Sequence, residues 1–423
     1  MRNRRNTRRK NIVLDTITNK NFIIISCILL VVIIAAFGII KYRNYQDRLL
    51  IARQAEDLEK QTEEIFASIE NNLNSIGGKV ESIKTVKIAA VGDILCQMDM
   101  IEDAYSDGNY DFYNMFSNIT KYVQNSDIAI GTLETNFVDN NYSGYAKYNA
   151  PIEFLQAVKK SGINLVSIAH NHQLDYGIEG RNTTIEKIQD EDISVTGIAN
   201  NAENEEKEFT GIIKEINDIK IAFLGYTYGV SNSARLTEDE KSSSNIYSEE
   251  LVSKDLQYAK QNSNYIVVIM HWGNVNDNTI SEEQNNITGF LVNNGADMIL
   301  GSHPSVVEPM QMLQDSEGKN ILVAYSLGNY ISSLKYENAD VELILNIQIA
   351  KSPDSEKAVL QKVDYTPIYM LDNGIKAENR FELTDMKKLA RDYANGDTSK
   401  ITRTTYDKLI EKLNTLQAIV KGK

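Results

Sequence analysis

The sequence predicts an α/β domain built on a mixed β-sheet, preceded by one transmembrane helix and a helical stalk. Three observations predict it. From Lys87 onward, nine short apolar runs alternate with helical stretches; one of them and a further short run before it flank an Asn217-Asp218 turn; and a nineteen-residue run without charge lies near the N-terminus.

The charge-free run is Phe22 to Ile40, FIIISCILLVVIIAAFGII. As a helix rising 1.5 Å per residue it is about 28 Å long, enough to cross a hydrocarbon core of about 30 Å. It exceeds the apolar part of a signal peptide, and no small-residue cleavage pattern follows it. The first twenty residues carry seven basic side chains against Asp15 alone. That head is expected in the cytoplasm, leaving a single-pass membrane protein with its main domain extracellular. Residues 41–84 then repeat apolar positions three, four or seven apart, from Leu50 to Ile76, before Gly77-Gly78. This is the pattern of an amphipathic helix, read as a stalk that can also pair with a second copy.

Residues 85–370 form the expected main domain. Its runs, KIAAVGDIL, DIAIGTLETNF, INLVSIAH, ISVTGI, KIAFLGYT, YIVVIMHWG, ADMILGSH, NILVAYSLGNYI and VELILNIQIA, are near-continuously apolar and β-branched. Strands buried on both faces read this way, with helices such as Pro151 to Ser161 and Arg181 to Asp190 as crossovers. The Asn217-Asp218 pair predicts a hairpin, so the sheet is mixed. Residues 371–423 are read as a helical tail.

Composition excludes some functions. The chain has 423 residues, 42% of them hydrophobic, and a net charge of −14. Without its basic head it is more acidic still, which argues against nucleic acid as a partner. Two cysteines, Cys27 and Cys96, give no disulfide framework.

The polar residues gather at strand ends: Asp93, Glu134, His170-Asn171-His172, His271-Trp272, Ser302-His303 and Asn329. All four histidines and the only tryptophan are among them. Ligands of open α/β sheets bind at the carboxyl ends of strands, so these positions are expected in one crevice. Imidazole with carboxylate, and almost no thiolate, is a donor set for zinc, manganese or iron.

These signatures resemble the CapA family of poly-γ-glutamate capsule biosynthesis proteins, whose domain is similar to the calcineurin-like metallophosphoesterases. The matching segments are GDIL at Gly92, GTLETN around Glu134, AHNHQLDYG from Ala169, HWG from His271, GSHPSVVEP from Gly301 and YSLGNYI from Tyr325. The resemblance implies a metallophosphoesterase-like mixed β-sheet sandwich flanked by helices. It implies Asp93, Glu134, Asn171, His271 and His303 as metal ligands. His172 would be the proton donor to a leaving group, with Asp175 holding its ring. His170, Trp272, Ser302, Ser305 and Asn329 complete the crevice as candidates for substrate contact. The chain departs from the family where His-Pro-His is usual and His303-Pro304-Ser305 stands, and where Asn-Asn-His is usual and His170-Asn171-His172 stands. One metal position is therefore expected to be firm and a second doubtful, with His170 a candidate to compensate for Ser305.

What the resemblance implies for function is synthesis or export of a capsular polymer, with membrane-bound synthase or export subunits as partners and an anionic polymer as substrate. Two alternatives stay open: a cell-surface metallophosphoesterase acting on a phosphate ester, and a non-catalytic polymer-binding subunit. The sequence has no Gly-x-x-x-x-Gly-Lys-Ser/Thr loop, so energy for polymerisation is expected from another subunit.

Overall fold

A computed structural model describes residues 83–422 apart from 140, 199–208, 232–234 and 376. The expected basic head, the Phe22 to Ile40 anchor and nearly all of the stalk lie outside the described residues. Among the described residues no helix is long and apolar enough to cross a membrane. This finding overturns the single-pass, extracellular placement expected above.

In chain order the strands are β1 (Lys84–Ile94), the small hairpin β2 (Tyr105–Ser106) and β3 (Asn109–Tyr110), β4 (Ile128–Leu133), β5 (Leu165–Ser167), β6 (Ser194–Thr196), β7 (Ile212–Ile216), β8 (Ile219–Thr227), β9 (Tyr265–His271), β10 (Met298–Ser302), β11 (Met310–Gln314), β12 (Asn320–Ala324), β13 (Asn329–Ile331), β14 (Val341–Lys351), β15 (Val359–Asp372) and β16 (Phe381–Asp385). They form two large sheets. One runs β16-β15-β14-β1-β4-β5-β6, with β13 also on β1; the other runs β11-β12-β10-β9-β8-β7. Strand β1 is parallel to β4 and β13 and antiparallel to β14. In the second sheet β8, β9, β10 and β12 are mutually parallel and β7 and β11 are antiparallel edges.

The sheets pack on one another, with β1 against β8 and β10. Their outer faces carry helices, giving four layers. Alternation along the strands explains the unbroken apolar runs. In β1, Ala89 and Val91 join Phe116, Phe154 and Leu155 of the helices on that side. Their neighbours Ile88 and Ala90, pointing the other way, are equally buried. In β9, Ile266, Val268 and Met270 pack with Leu256 and Leu291 of the helices Glu249–Asn262 and Glu282–Asn293. A strand with both faces covered needs no polar alternate.

The hairpin of β7 and β8 turns on Asn217 (φ 52°) and Asp218 (φ 58°), the left-handed pair that a two-residue turn requires. The run NILVAYSLGNYI, read as one strand, is two. It leaves the second sheet after Ala324 and enters the first at Asn329, crossing between sheets at Gly328 (φ 81°). The first sheet also extends past residue 370, the expected domain end, through β15 to β16. The expected tail helix is Arg403–Val420.

Two close backbone approaches fix the strand ends. A Cβ on Gly92 would meet the Gly328 carbonyl oxygen at 1.8 Å, and one on Gly301 the Tyr325 carbonyl oxygen at 1.8 Å and Trp272 Nε1 at 2.6 Å. These glycines admit neighbouring strands rather than a bound ion. Gly301→Ala is therefore expected to lower the free energy of unfolding by about 2 kcal/mol or more. Urea denaturation checks this, and an unchanged midpoint would refute the close approach.

Glu308, just before β11, is fully buried. One oxygen accepts Gln284 Nε2–H at 2.7 Å and the other, Oε1, has no hydrogen-bond partner. Burial pushes its carboxyl up to about 8, against the opposing Gln284 bond. The native state thus holds this proton more tightly than the unfolded chain, whose glutamates titrate near about 4.3. Its contribution to stability is complete below that value and is lost as pH rises toward 8. Unfolding measured from pH 5 to 8.5 is expected to show Glu308→Gln flattening the decline by about 2–4 kcal/mol. Parallel profiles for the two proteins would show that Glu308 stays ionised.

Candidate metal centre

Strands from both sheets end at one place. Asp93 closes β1 and pairs in register with Thr132 of β4; Glu134 follows β4 directly. His271 ends β9, in register with Ser302 of β10 and Thr227 of β8. The loop after β5 supplies His170, Asn171, His172 and Asp175. His303 follows β10 with φ 101° and Ser305 has φ 62°, left-handed conformations that cost a side-chain-bearing residue of order 1–3 kcal/mol each. Asp93 holds that turn, its Oδ2 accepting the His303 backbone N–H at 2.8 Å.

The rings of His271 and His172 are each oriented by partners. His271 Nδ1 meets Ser302 Oγ at 3.1 Å, and Ser302 in turn donates to Thr132 Oγ1 at 3.0 Å across the two sheets. His271 Nε2 lies 2.9 Å from Asn171 Oδ1. Asp175 Oδ2 holds His172 Nδ1 at 2.8 Å, which leaves His172 Nε2 facing Glu134 Oε1 at 3.9 Å. His271 Nε2 is also 3.9 Å from Glu134 Oε1.

Glu134, His271 and His303 offer donor atoms that all lie within 4.8 Å of one another, and all three residues are buried. Asn171 joins them through its oxygen beside His271. Two donors about 2.1 Å from one ion stand about 3 Å apart, the separation seen between Asn171 and His271. The electrostatics fit a cation as well. Burial, then Asp93 and Asp175, raises the Glu134 carboxyl well above the usual range. Burial, then His271 and His172, holds His303 well below the usual imidazole range. Asp93 Oδ1 is buried with no hydrogen-bond partner. One carboxylate, two imidazoles and an amide oxygen can hold a divalent cation, and the buried acceptors around them favour one.

Asp93 lies outside the group of three, its Oδ1 3.5 Å from His271 Nδ1, which is the far side of the ring from Asn171. Its other oxygen holds the His303 turn. The residues expected to meet substrate are mostly engaged inward. Trp272 is buried in the second core with its indole N–H on the Tyr325 carbonyl at 2.8 Å. Ser302 serves His271 and Thr132, and Asn329 donates to the Ser305 carbonyl at 3.1 Å. His170 Nδ1 accepts the His172 backbone N–H at 3.1 Å, and burial followed by His271 and His172 keeps its ring well below the usual range. It braces the loop. Ser305 makes only a long contact, its Oγ donating to the His303 carbonyl at 3.4 Å.

Two tyrosines escaped the sequence reading. Tyr228, 45% exposed, lies over His303 with ring centroids 4.8 Å apart and parallel to His271 at 6.4 Å. Tyr148 packs edge-on against His172 at 4.7 Å. Burial and then Glu134 raise both hydroxyls above the ordinary tyrosine range. Tyr228 follows β8 directly, so its strand-end place was the available signal. Cys96 is buried in the core and burial raises its thiol, which suits packing and not nucleophilic attack.

The family described as bacterial capsule synthesis protein PGA_cap matches residues 87–334 of this chain. The capsule biosynthesis protein CapA of Bacillus anthracis is 27% identical over 345 residues, which cover 79% of this chain and 79% of that protein. The PGA biosynthesis protein CapA of Bacillus subtilis (strain 168) is 26% identical over 179 residues, 42% of this chain and 45% of that one. Among solved structures, the Haemophilus influenzae NAD nucleotidase (NadN) overlaps with a TM-score of 0.43 at 13% identity, covering 79% of this chain and 60% of its own. The calcineurin-like phosphoesterase YfkN from Bacillus subtilis overlaps with a TM-score of 0.42 at 12% identity, covering 80% and 99%.

Proposed function

Since the chain belongs to the PGA_cap family of bacterial capsule synthesis proteins, we propose that it works in the synthesis or export of a capsular polymer, through one divalent cation held by Glu134, Asn171, His271 and His303. The observation that carries this reading is the convergence of the Glu134, His271 and His303 donor atoms within 4.8 Å, with an oriented His172 beside them. The partners in this reading are the polymer's membrane-bound synthase or export subunits.

The donor set suits manganese, zinc or iron. When bound, such an ion supplies Lewis acidity to a phosphoryl or carbonyl oxygen. The remaining work falls to the protein. Asp175 accepts the Nδ1–H of His172, so when the ring carries a second proton it sits on Nε2, the atom that would give it to a departing oxygen or nitrogen. Ser302 and Thr132 keep His271 in one orientation, and Asp93 keeps the His303 turn closed. Tyr228 forms the open wall over both imidazoles. A cavity of about 350 Å³, lined by Asn276, Val306, Val307, Asn338, Lys412 and Leu416, begins at the residue after Ser305 and is the candidate space for the rest of a substrate. With Ser305 where an imidazole is usual, a second position has no strong nitrogen donor.

Elemental analysis of the purified chain is expected to find one tightly held ion, and two would refute the single-cation reading. His303→Ala is expected to lower metal content at least tenfold while the circular dichroism of the fold survives. His172→Ala is expected to keep the ion but to cut polymer yield in cells on the order of 10²-fold. Undiminished yield would remove His172 from the chemistry.

A further inference from the structure

The ends of β8 and β9 opposite the crevice carry a second, chemically different place. A cavity of about 640 Å³ opens there, walled by Lys220, Lys260, Lys351 and Lys357 together with Asp354 and Glu356. Seven residues separate Lys220 from Thr227 along β8, about 23 Å at roughly 3.3 Å per residue, so this cavity is remote from His271.

Its frame is tied together by hydrogen bonds from three segments. Asn264 Oδ1 accepts the Lys220 backbone N–H at 2.7 Å, and Asn264 Nδ2 donates to the Glu356 carbonyl at 2.6 Å. The Ala358 N–H donates to the Asn264 carbonyl at 3.0 Å. Lys357 Nζ donates to the carbonyls of Lys260 and Ser263, each at 3.2 Å. The starts of β8 and β9 and the turn before β15 therefore hold a fixed opening.

Two carboxylates, Asp354 and Glu356, lie among these four lysines. Among the described residues none of the four cavity lysines has a carboxylate within ion-pair distance; Lys351 reaches only the Asp218 carbonyl, at 3.4 Å. The lining carries four lysines against two carboxylates, so positive charge is in excess there and its members repel one another. A ligand with several negative charges relieves that repulsion, and a volume within the range of about 300–1,000 Å³ typical of ligand cavities admits more than a single small anion.

We propose that this cavity binds a flexible polycarboxylate, giving the anionic polymer a second point of attachment remote from the crevice. The choice of carboxylate over phosphate rests on the capsular-polymer reading; the preference for a polyanion rests on the lysines alone. An exposed amide, Gln261, lies on the same wall for a ligand that also carries amide groups.

The test is fluorescence anisotropy of labelled decaglutamate with the full chain at 20 and 200 mM salt. Binding is expected at low salt and is expected to weaken at least tenfold at high salt, because exposed charge attraction is screened. Lys220→Gln/Lys260→Gln is expected to weaken it at least tenfold, while Lys241→Gln/Lys254→Gln, at lysines paired elsewhere, leaves it unchanged. Absence of binding, or equal binding by both double variants, would overturn the proposal. Binding of tripolyphosphate without decaglutamate would overturn the carboxylate assignment, and lysine-dependent binding to phosphatidylglycerol vesicles without decaglutamate would give the patch to a lipid surface. His303→Ala is expected to bind decaglutamate like the native chain, so a failed metal centre and a failed polymer cavity give separate results.

Discussion

The crevice depends on one buried hydrogen bond, from the His303 backbone N–H to Asp93 Oδ2 at 2.8 Å. It joins the end of β1 in one sheet to the end of β10 in the other, and it closes a turn whose φ of 101° no histidine adopts freely. A carboxylate taken out of water without partners costs several kcal/mol. Asp93 offsets part of that cost through this bond and lies beside the His271 ring with its other oxygen. The same junction is crossed by the relay from His271 through Ser302 to Thr132. Two sheets that are also joined by Thr196 Oγ1 on the Phe223 carbonyl are thereby held in one relative placement where the histidines converge.

That lock explains the electrostatics. Glu134 is driven toward its neutral acid and His303 toward neutral imidazole, each first by burial. Both shifts express a site that disfavours any charge standing alone. A divalent cation among these donors reverses the first and matches the second, since it requires an ionised carboxylate and unprotonated rings. The shifts describe a cradle whose ligands are held ready, and a proton competes for Glu134 but little for His303.

Most of the fold was legible because strands covered on both faces must be apolar throughout, and helical stretches between them set the crossovers. Asn217-Asp218 marked its hairpin for a local reason, the left-handed turn. The long pair β14 and β15 was half visible. Val341–Lys351 reads as a strand, but β15 mixes Gln361, Lys362, Asp364, Tyr365 and Thr366 with apolar positions and lacks a continuous run. The crossing at Gly328 was hidden because NILVAYSLGNYI is apolar on either side of it. For the site, residue type and strand-end position were enough to gather Glu134, Asn171, His172, His271 and His303. They were not enough to give direction. Trp272 and Ser302 sit beside ligands in sequence, yet alternation along the chain turns Trp272 into the second core. Asp93 shares the crevice with one oxygen on the His303 N–H and the other buried beside His271 Nδ1, a division that residue type does not foretell. The membrane placement rested on Phe22 to Ile40, outside the described residues, and no described helix supports it.

The proposed reading separates two functions along β8 and β9. Near their carboxyl ends, Asp93, Glu134 and Asp175 surround the imidazoles, an arrangement that attracts a cation. At their amino ends, Lys220 and Lys260 stand unpaired beside Lys351 and Lys357. Parallel strands make this division natural, since one end of each gathers ligating side chains while the other is free to vary in charge. Strand length then sets the distance between a place for metal chemistry and a place for polyanion, and the intervening β-branched core, buried on both faces, keeps that distance constant.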